Sequence, residues 1–254
     1  MCIRDSSDPL SSIKSLKELF IGWVVEEAIK RAPFGRPLRV LDVGCGKAAY
    51  VPGLVEQFPN ITYVGIEPIP KSFKKAQEYT SDIEQATVHF GLAYDALEEY
   101  EVGSFDLIIS LSVLEHVKQL PKFIAFCDQY LATGGLMVHR YDLGHALYSH
   151  SWKEWLHVKI GNSMPWVLPE IQFVRYVPED EVREVYKQHN ITPFKSTYHQ
   201  MPNHKLLEKN IGDDAEVVSE LFAWEVKHQP TFAALPVETR EKLFPAVAVW
   251  GEKN

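Results

Sequence analysis

The apolar positions change period along the chain. Ile13, Leu16, Phe20 and Val24 recur every three or four residues, which predicts an amphipathic helix over Ser12 to Arg31. Pro33, Gly35 and Pro37 stop it. Its charges (Lys14, Lys17, Glu26, Glu27, Lys30) lie mostly off that stripe, so the helix reads as a cover for a sheet edge or a ligand mouth. Short apolar runs follow at Leu38 to Val43, Ile61 to Glu67, Ala86 to Phe90, Phe105 to Leu111 and Leu136 to Tyr141. Each reads as a strand, and the near-continuous run 105–111 as a central one. Helical stretches separate them: Tyr50 to Phe58, Lys71 to Tyr79, and Leu120 to Leu131, the last stopped by Gly134 and Gly135. Alternation of this kind predicts a parallel sheet with helices on both faces, a doubly wound α/β fold.

After Asp142 the rhythm breaks. Gly144 to Pro169 holds Trp152, Trp155 and Trp166 with His145, His150, His157 and Tyr148, too aromatic for a solvated linker. It is expected to be an insertion over the ligand side of the sheet. The pair Trp152 and Trp155, three apart, fits a sugar-stacking platform, but aromatics at helical spacing belong more often to a core. Pro178 to His189 predicts a helix with an acidic first turn, which suits the helix dipole. Ile191 to His199 predicts a sixth strand, Asn203 to His228 mainly helix, and Ala246 to Gly251 a last strand, expected antiparallel. The expected organisation is one domain over 11–254, with 143–177 and 203–232 as substrate-side insertions. Residues 1–10 carry no fold signal and read as a frayed or extraneous end.

Composition narrows the picture modestly. Hydrophobic residues are 46% and charged residues 24% of the 254, ordinary for a soluble globular chain. A net charge of -8 argues against a broad duplex-binding surface. Three scattered cysteines suggest no disulfide framework and fit a reducing compartment. The apolar run 19–25 is too short to span a bilayer. A cytoplasmic protein is the expectation, with its oligomeric state open.

The stretch with chemistry is Arg39 to Tyr50, where a buried strand ends in Asp42-Val43-Gly44-Cys45-Gly46 and a helix begins. Glycines at such a turn let backbone approach a ligand. The run Gly44 to Ala49 also satisfies the dinucleotide fingerprint in its alanine-ended form, with Glu67 about 20 residues on. A nicotinamide or flavin oxidoreductase therefore competes. Asp42 separates the readings: a carboxylate there disfavours phosphates and suits a ligand that carries cations. Glu67 can accept from both hydroxyls of a ribose. Together they describe an adenosine ligand with a positive tail.

Val40-Leu41-Asp42-Val43-Gly44-Cys45-Gly46 resembles the first motif of class I S-adenosylmethionine-dependent methyltransferases. Ser104 to Val117 is similar to that family's fourth-strand motif, and Leu131 to Val138 to its segment before the fifth strand. The resemblance covers residues 38 to 142 and implies a Rossmann-like fold with S-adenosyl-L-methionine as cofactor. It further implies that Asp42, Val43, Gly44, Cys45 and Gly46 form the turn against the methionine end, and that Glu67 takes the ribose. Ser110 and Leu111 then line the sulfonium region. The family often has an acid after the third strand for the adenine amine. Leucine stands there here, so adenine is expected against backbone of Leu92 and Ala93, or the ring of Tyr94.

The expected reaction is methyl transfer to a small-molecule or glycan-like acceptor, at oxygen, which calls for a base near neutral pKa. His116 follows the fourth strand and sits near the expected methyl donor, although Glu115-His116 is often structural in the family. Asp142 and His145 follow the fifth strand, where the carboxylate could orient the imidazole. Small-RNA 2′-O-methyltransferases of this fold bind metal through Glu-x-x-Glu-His. Ser112 stands in place of the first glutamate, so no metal is expected. A non-catalytic adenosyl-ligand-binding subunit is the remaining alternative.

Overall fold

The computed structural model describes residues 15–31, 35–92, 97, 100–143, 152–164, 173–199 and 214–254. Seven strands form one sheet in the order β3-β2-β1-β4-β5-β7-β6. They are β1 (Leu38–Val43), β2 (Ile61–Glu67), β3 (Ala86–Phe90), β4 (Phe105–Leu111), β5 (Leu131–Asp142), β6 (Ile191–His199) and β7 (Ala246–Lys253). The first five pair in parallel, and β7 runs antiparallel to both β5 and β6. The expected doubly wound, mostly parallel sheet with an antiparallel last strand is therefore what forms.

Period-2 alternation divides the core. Leu41, Val43, Ile108, Met137, Tyr141, Val247 and Val249 face one side, packed against Phe123 and Ile124 of α4 (Leu120–Tyr130) and Val182 and Tyr186 of α6 (Glu179–Gln188). Leu38, Val40, Leu107, Ile109, Leu136, Val138, Ala248 and Trp250 face the other. There they meet α1 (Leu16–Ile29), α2 (Val51–Gln57) and α7 (Ala215–Lys227). Helix α3 (Pro70–Thr80) packs at the β2–β3 edge. All seven residues of β4 are buried, as a strand covered on both faces requires.

Two features depart from expectation. β5 begins at Leu131 rather than Leu136: Leu131 pairs with Phe105, and the register then jumps to Leu107 with Leu136. The chain bulges through Gly134, whose φ of +74° favours glycine. The aromatic insertion contains a regular helix, α5 (Trp152–Ser163), on which Trp152 and Trp155 are 69% and 53% exposed. They are not core residues; lysines 153 and 159 lie over their rings instead. Of the stretch 203–228 expected to be mainly helix, 215–227 is helical and 203–213 lies outside the described residues, as do Trp166 and residues 144–151, 165 and 167–172 of the insertion. Two short helices, α8 (Gln229–Ala233) and α9 (Val237–Leu243), precede β7.

At the opposite end of the sheet from the glycine turn, Asp106 on β4 holds both guanidinium nitrogens of Arg36 at 2.6 Å and accepts from Arg39 N at 2.9 Å. The carboxylate is buried and ties β1 to β4 through charge-assisted bonds. Asp106→Ala leaves the Arg39 N–H unsatisfied. It is expected to cost about 2 kcal/mol, read as a lower urea midpoint with an unchanged slope.

Candidate cofactor site

β1 ends at Val43, and Gly44 and Gly46 take φ of +80° and +64°. A side chain on Gly44 would also sit 2.5 Å from Val113 Cγ2, so the turn needs glycine for space as well as for φ. Gly44 N and Cys45 N both donate to Ile66 O of β2, at 2.8 and 3.0 Å. Gly46 N donates to Glu67 Oε2 and Ile69 N to Glu67 Oε1, each at 2.8 Å. The Glu67 carboxylate is thus pinned at the mouth of the turn, with further lone pairs on both oxygens.

Above this turn lies a cavity of about 410 Å³. Val43, Gly44, Gly46, Glu67, Leu92 and Leu111 of the expected set line it, and His116 does too. Asp42 and Cys45 are buried just behind the lining. Asp42 Oδ2 accepts from the hydroxyls of Tyr50 and Tyr63, the latter at 3.0 Å, while Oδ1 has no partner among the described residues. Ser110 is away from the lining: its buried hydroxyl meets His139 Nδ1 at 2.7 Å. Asp142 is half-buried at the end of β5 and is likewise not part of the lining. His145 and Ala93 lie outside the described residues.

Lys17 also lines the cavity, and it was not anticipated. The signal was present in the sequence. Lys17 stands three, four and seven residues before Phe20, Ile21 and Val24, all buried, so it shares their face of α1. Burial pushes its pKa down, while Asp42 and Glu115 push it back up. Ser112, also in the lining, has φ of +58°, a conformation unusual for serine that no sequence pattern announces.

His116 sits on a single 3₁₀ turn, Leu114–His116, after β4. Its Nδ1 lies 2.8 Å from the carbonyl of Phe173, so Nδ1 carries the proton and donates. Nε2 then carries the lone pair of the neutral ring. Glu115, one residue earlier, is fully buried, and neither carboxyl oxygen has a hydrogen-bond partner among the described residues. Burial pushes its pKa up to about 8, with Asp142 adding and Arg140 opposing. Asp42 is pushed up to about 7, first by burial, against the pull of Lys17 and Tyr63. Among the described residues no group of three or more His, Cys, Asp or Glu side chains is placed to hold a metal ion.

The methyltransferase-domain family matches residues 20–193, more than half of the chain. The chain belongs to this family. It is a class I, S-adenosylmethionine-dependent methyltransferase domain with a Rossmann-like fold. Curated relatives include the human mitochondrial ubiquinone biosynthesis O-methyltransferase, 28% identical over 149 residues, covering 55% of this chain and 40% of the relative. The ubiquinone biosynthesis O-methyltransferase of Dechloromonas aromatica is 32% identical over 131 residues, covering 50% and 53%. The chain spans about half the length of these relatives. Among solved structures, phosphoethanolamine N-methyltransferase 2 of Haemonchus contortus, in complex with S-adenosyl-L-methionine, superposes with a TM-score of 0.61 at 17% identity, over 93% of this chain and 52% of that one. Geranyl diphosphate C-methyltransferase of Streptomyces coelicolor gives 0.60 at 12% identity, over 100% and 86%. These two likenesses concern the fold. The turn is poorly suited to a diphosphate, because the Gly46 N–H already serves Glu67.

The raised carboxyl pKa values fix a pH dependence. Unfolded, Asp42 and Glu115 lose their protons near their ordinary values of 3.8 and 4.5; folded, they keep them to about 7 and 8. The folded state therefore holds more protons over that span, and stability falls as pH rises. Buried His139, held near 3, acts oppositely below its ordinary 6.5, where the unfolded imidazole is charged. Between pH 6.5 and 8 the carboxyl effect is expected to emerge as a falling melting temperature of the ligand-free protein. Glu115→Gln should flatten that fall; an equal slope in both proteins would contradict the assignment.

Proposed function

We propose that this methyltransferase domain transfers a methyl group from S-adenosylmethionine to a hydroxyl oxygen of a small-molecule acceptor, with His116 as the base. The observation that carries the reading is the pinned Glu67 carboxylate beside the glycine turn, with the Lys17 ammonium on the same cavity. Two acceptor oxygens face a ribose diol. A cation and the buried Asp42 carboxylate complement a zwitterionic amino-acid end. The volume of about 410 Å³ falls within the ~300–1,000 Å³ of small-molecule sites. The orphaned Asp42 Oδ1 gives the ammonium a counter-charge just behind the lining.

Bound there, S-adenosylmethionine supplies an electrophilic methyl group. The chain's own part is to bind, orient and take a proton. Glu67 accepts from the ribose hydroxyls, Lys17 pairs with the methionine carboxylate, and the backbone around Leu92 borders the adenine. Leu111, Val113 and Phe123 keep the reacting end of the cavity apolar, which excludes water. His116 Nε2 takes the acceptor hydroxyl proton as the oxygen–methyl bond forms, while Phe173 O holds the ring's orientation through Nδ1. Oxygen as the attacking atom is supported by the O-methyltransferase names of the curated relatives. The free, buried thiols of Cys45 and Cys127 support a reducing compartment such as the cytoplasm.

Calorimetry tests the cofactor roles. Glu67→Ala is expected to weaken S-adenosylmethionine by about tenfold or more, from lost charge-assisted bonds. Lys17→Met should weaken S-adenosylmethionine similarly, yet leave decarboxylated S-adenosylmethionine almost unchanged. Equal losses for the two ligands would sink the lysine–carboxylate pairing. Tight NADH binding without S-adenosylmethionine binding would sink the whole reading.

His116→Ala is expected to lower kcat on a hydroxyl acceptor by roughly 10²-fold or more, with cofactor affinity little changed. Unaltered turnover would remove His116 from the chemistry.

A further inference from the structure

His116 is held by a segment that has no helix or strand of its own. Residues 173–177 lead into α6 as irregular chain. Two hydrogen bonds tie this strap to the turn that carries the imidazole. His116 Nδ1 donates to Phe173 O at 2.8 Å, and Arg175 N donates to Glu115 O at 2.9 Å. Phe173 and Val177 are both buried, so each end of the strap is anchored by its side chain.

Arg175, midway between those anchors, is tied twice. Its backbone N–H serves Glu115, and its guanidinium reaches the other way, to the first turn of α6. Nη1 and Nη2 donate to Glu181 Oε2 and Oε1 at 2.8 and 2.7 Å, a bidentate pair. The two side chains are 16% and 37% exposed, so solvent screens the pair only in part. A planar fork fixes direction as well as distance. α6 in turn is fixed to the sheet through Val182 and Tyr186, both fully buried. The next strap residue, Tyr176, turns elsewhere. It lines a second cavity, of about 270 Å³, beside α6, α9 and the start of β7, and its hydroxyl donates to Glu241 there.

We propose that Arg175 and Glu181 are positioning residues for His116: their ion pair keeps Phe173 O on the ring's Nδ1, so that Nε2 stays unprotonated. This rests on the reading of His116 as the base. A neutral imidazole carries one ring proton, and the group that one nitrogen meets decides where that proton sits. With the Phe173 carbonyl withdrawn, Nε2 can carry the proton, and a ring in that form cannot take one from an acceptor hydroxyl. The carbonyl belongs to the backbone, so its placement depends on what holds the strap. Neither Arg175 nor Glu181 lines the cofactor cavity, so their influence reaches the site through the strap and not by contact with a ligand there.

Ring-nitrogen NMR of the nitrogen-labelled, ligand-free full chain, at a pH where the imidazole is neutral, reads the tautomer directly. Loss of signals in His116→Gln identifies the ring. The wild type is expected to show the Nδ1–H form. Arg175→Met and Glu181→Gln should each lower the ratio of Nδ1–H to Nε2–H by up to about tenfold, the worth of one hydrogen bond. The two variants remove opposite charges, so a change of the same sign in both is positional and not electrostatic. Tyr176→Phe breaks the strap's tie to Glu241 and is expected to leave the ratio unchanged. Circular dichroism confirms that each variant is folded. A ratio unchanged in either Arg175→Met or Glu181→Gln, or shifted in opposite senses by the two, overturns the proposal. So does an equal shift in Tyr176→Phe, which makes the effect a general loosening, or a wild-type ring protonated on Nε2. The readout needs no acceptor and no turnover. A failure here is therefore distinct from unaltered turnover in His116→Ala, which removes the base and leaves the tautomer standing.

Discussion

Glu67 is the joint on which the cofactor cavity depends. Burying a lone carboxylate costs several kcal/mol, and its two backbone N–H bonds, at about 1.5–3 kcal/mol each, are what offset that. One of those donors is Gly46, so the bond that holds the Glu67 carboxyl in place also fixes the glycine turn. The other, Ile69, sets the entry to α3. The two bonds from Gly44 and Cys45 to Ile66 O clamp the same turn to β2 from one residue back. Turn, strand end and helix start are therefore one hydrogen-bonded unit. It exists only because β1 and β2 are in parallel register, with Asp42 beside Gly65 and Val43 beside Ile66.

Beneath that unit the structure manages buried charge by mutual compensation. Lys17 and Asp42 each move the other's pKa toward the charged form, against a larger desolvation effect. Arg140, itself buried with its guanidinium over the Phe20 ring, opposes Lys17 and supports Glu115. Neither carboxyl is firmly ionised near neutral pH. A ligand with both a carboxylate and an ammonium complements such a set better than either charge alone, because it adds a partner for Lys17 and for Asp42 together. This is a physical reason for a zwitterionic cofactor that is independent of any motif.

How much of this was legible follows from what each element is made of. Strands β1 to β4 and β6 match their sequence-based bounds because each is a short apolar run bounded by glycine, proline or a polar turn. The start of β5 was hidden because Gly134 and Gly135 read as a helix stop, whereas the chain pairs at Leu131 and then bulges. At the site, Gly44, Gly46, Glu67 and His116 were legible from position along strand ends. Ser110 was not: adjacent residues of a strand point to opposite faces, and only Leu111 points into the cavity. Lys17 was hidden because a lysine reads as a solvent-facing charge, although it stands three, four and seven residues before Phe20, Ile21 and Val24, all buried.

The two cavities occupy different stretches of one edge. The first lies over β1, β2 and β4, where parallel strands end together and backbone N–H groups converge. The second lies over β5, β6 and β7, where the reversed strand β7 brings its beginning, Ala246 and Val247, to the place where β5 and β6 finish. That reversal changes what the edge can offer. Strand ends followed by helix starts present N–H donors and glycine turns, which suit a cofactor met by backbone. An antiparallel triplet presents a row of side chains from three strands on one face, here Tyr141, Val247 and Tyr198. Any group met there would meet side chains, and of the five lining residues from α6 and α9 four (Glu179, Asp180, Arg240 and Glu241) are charged.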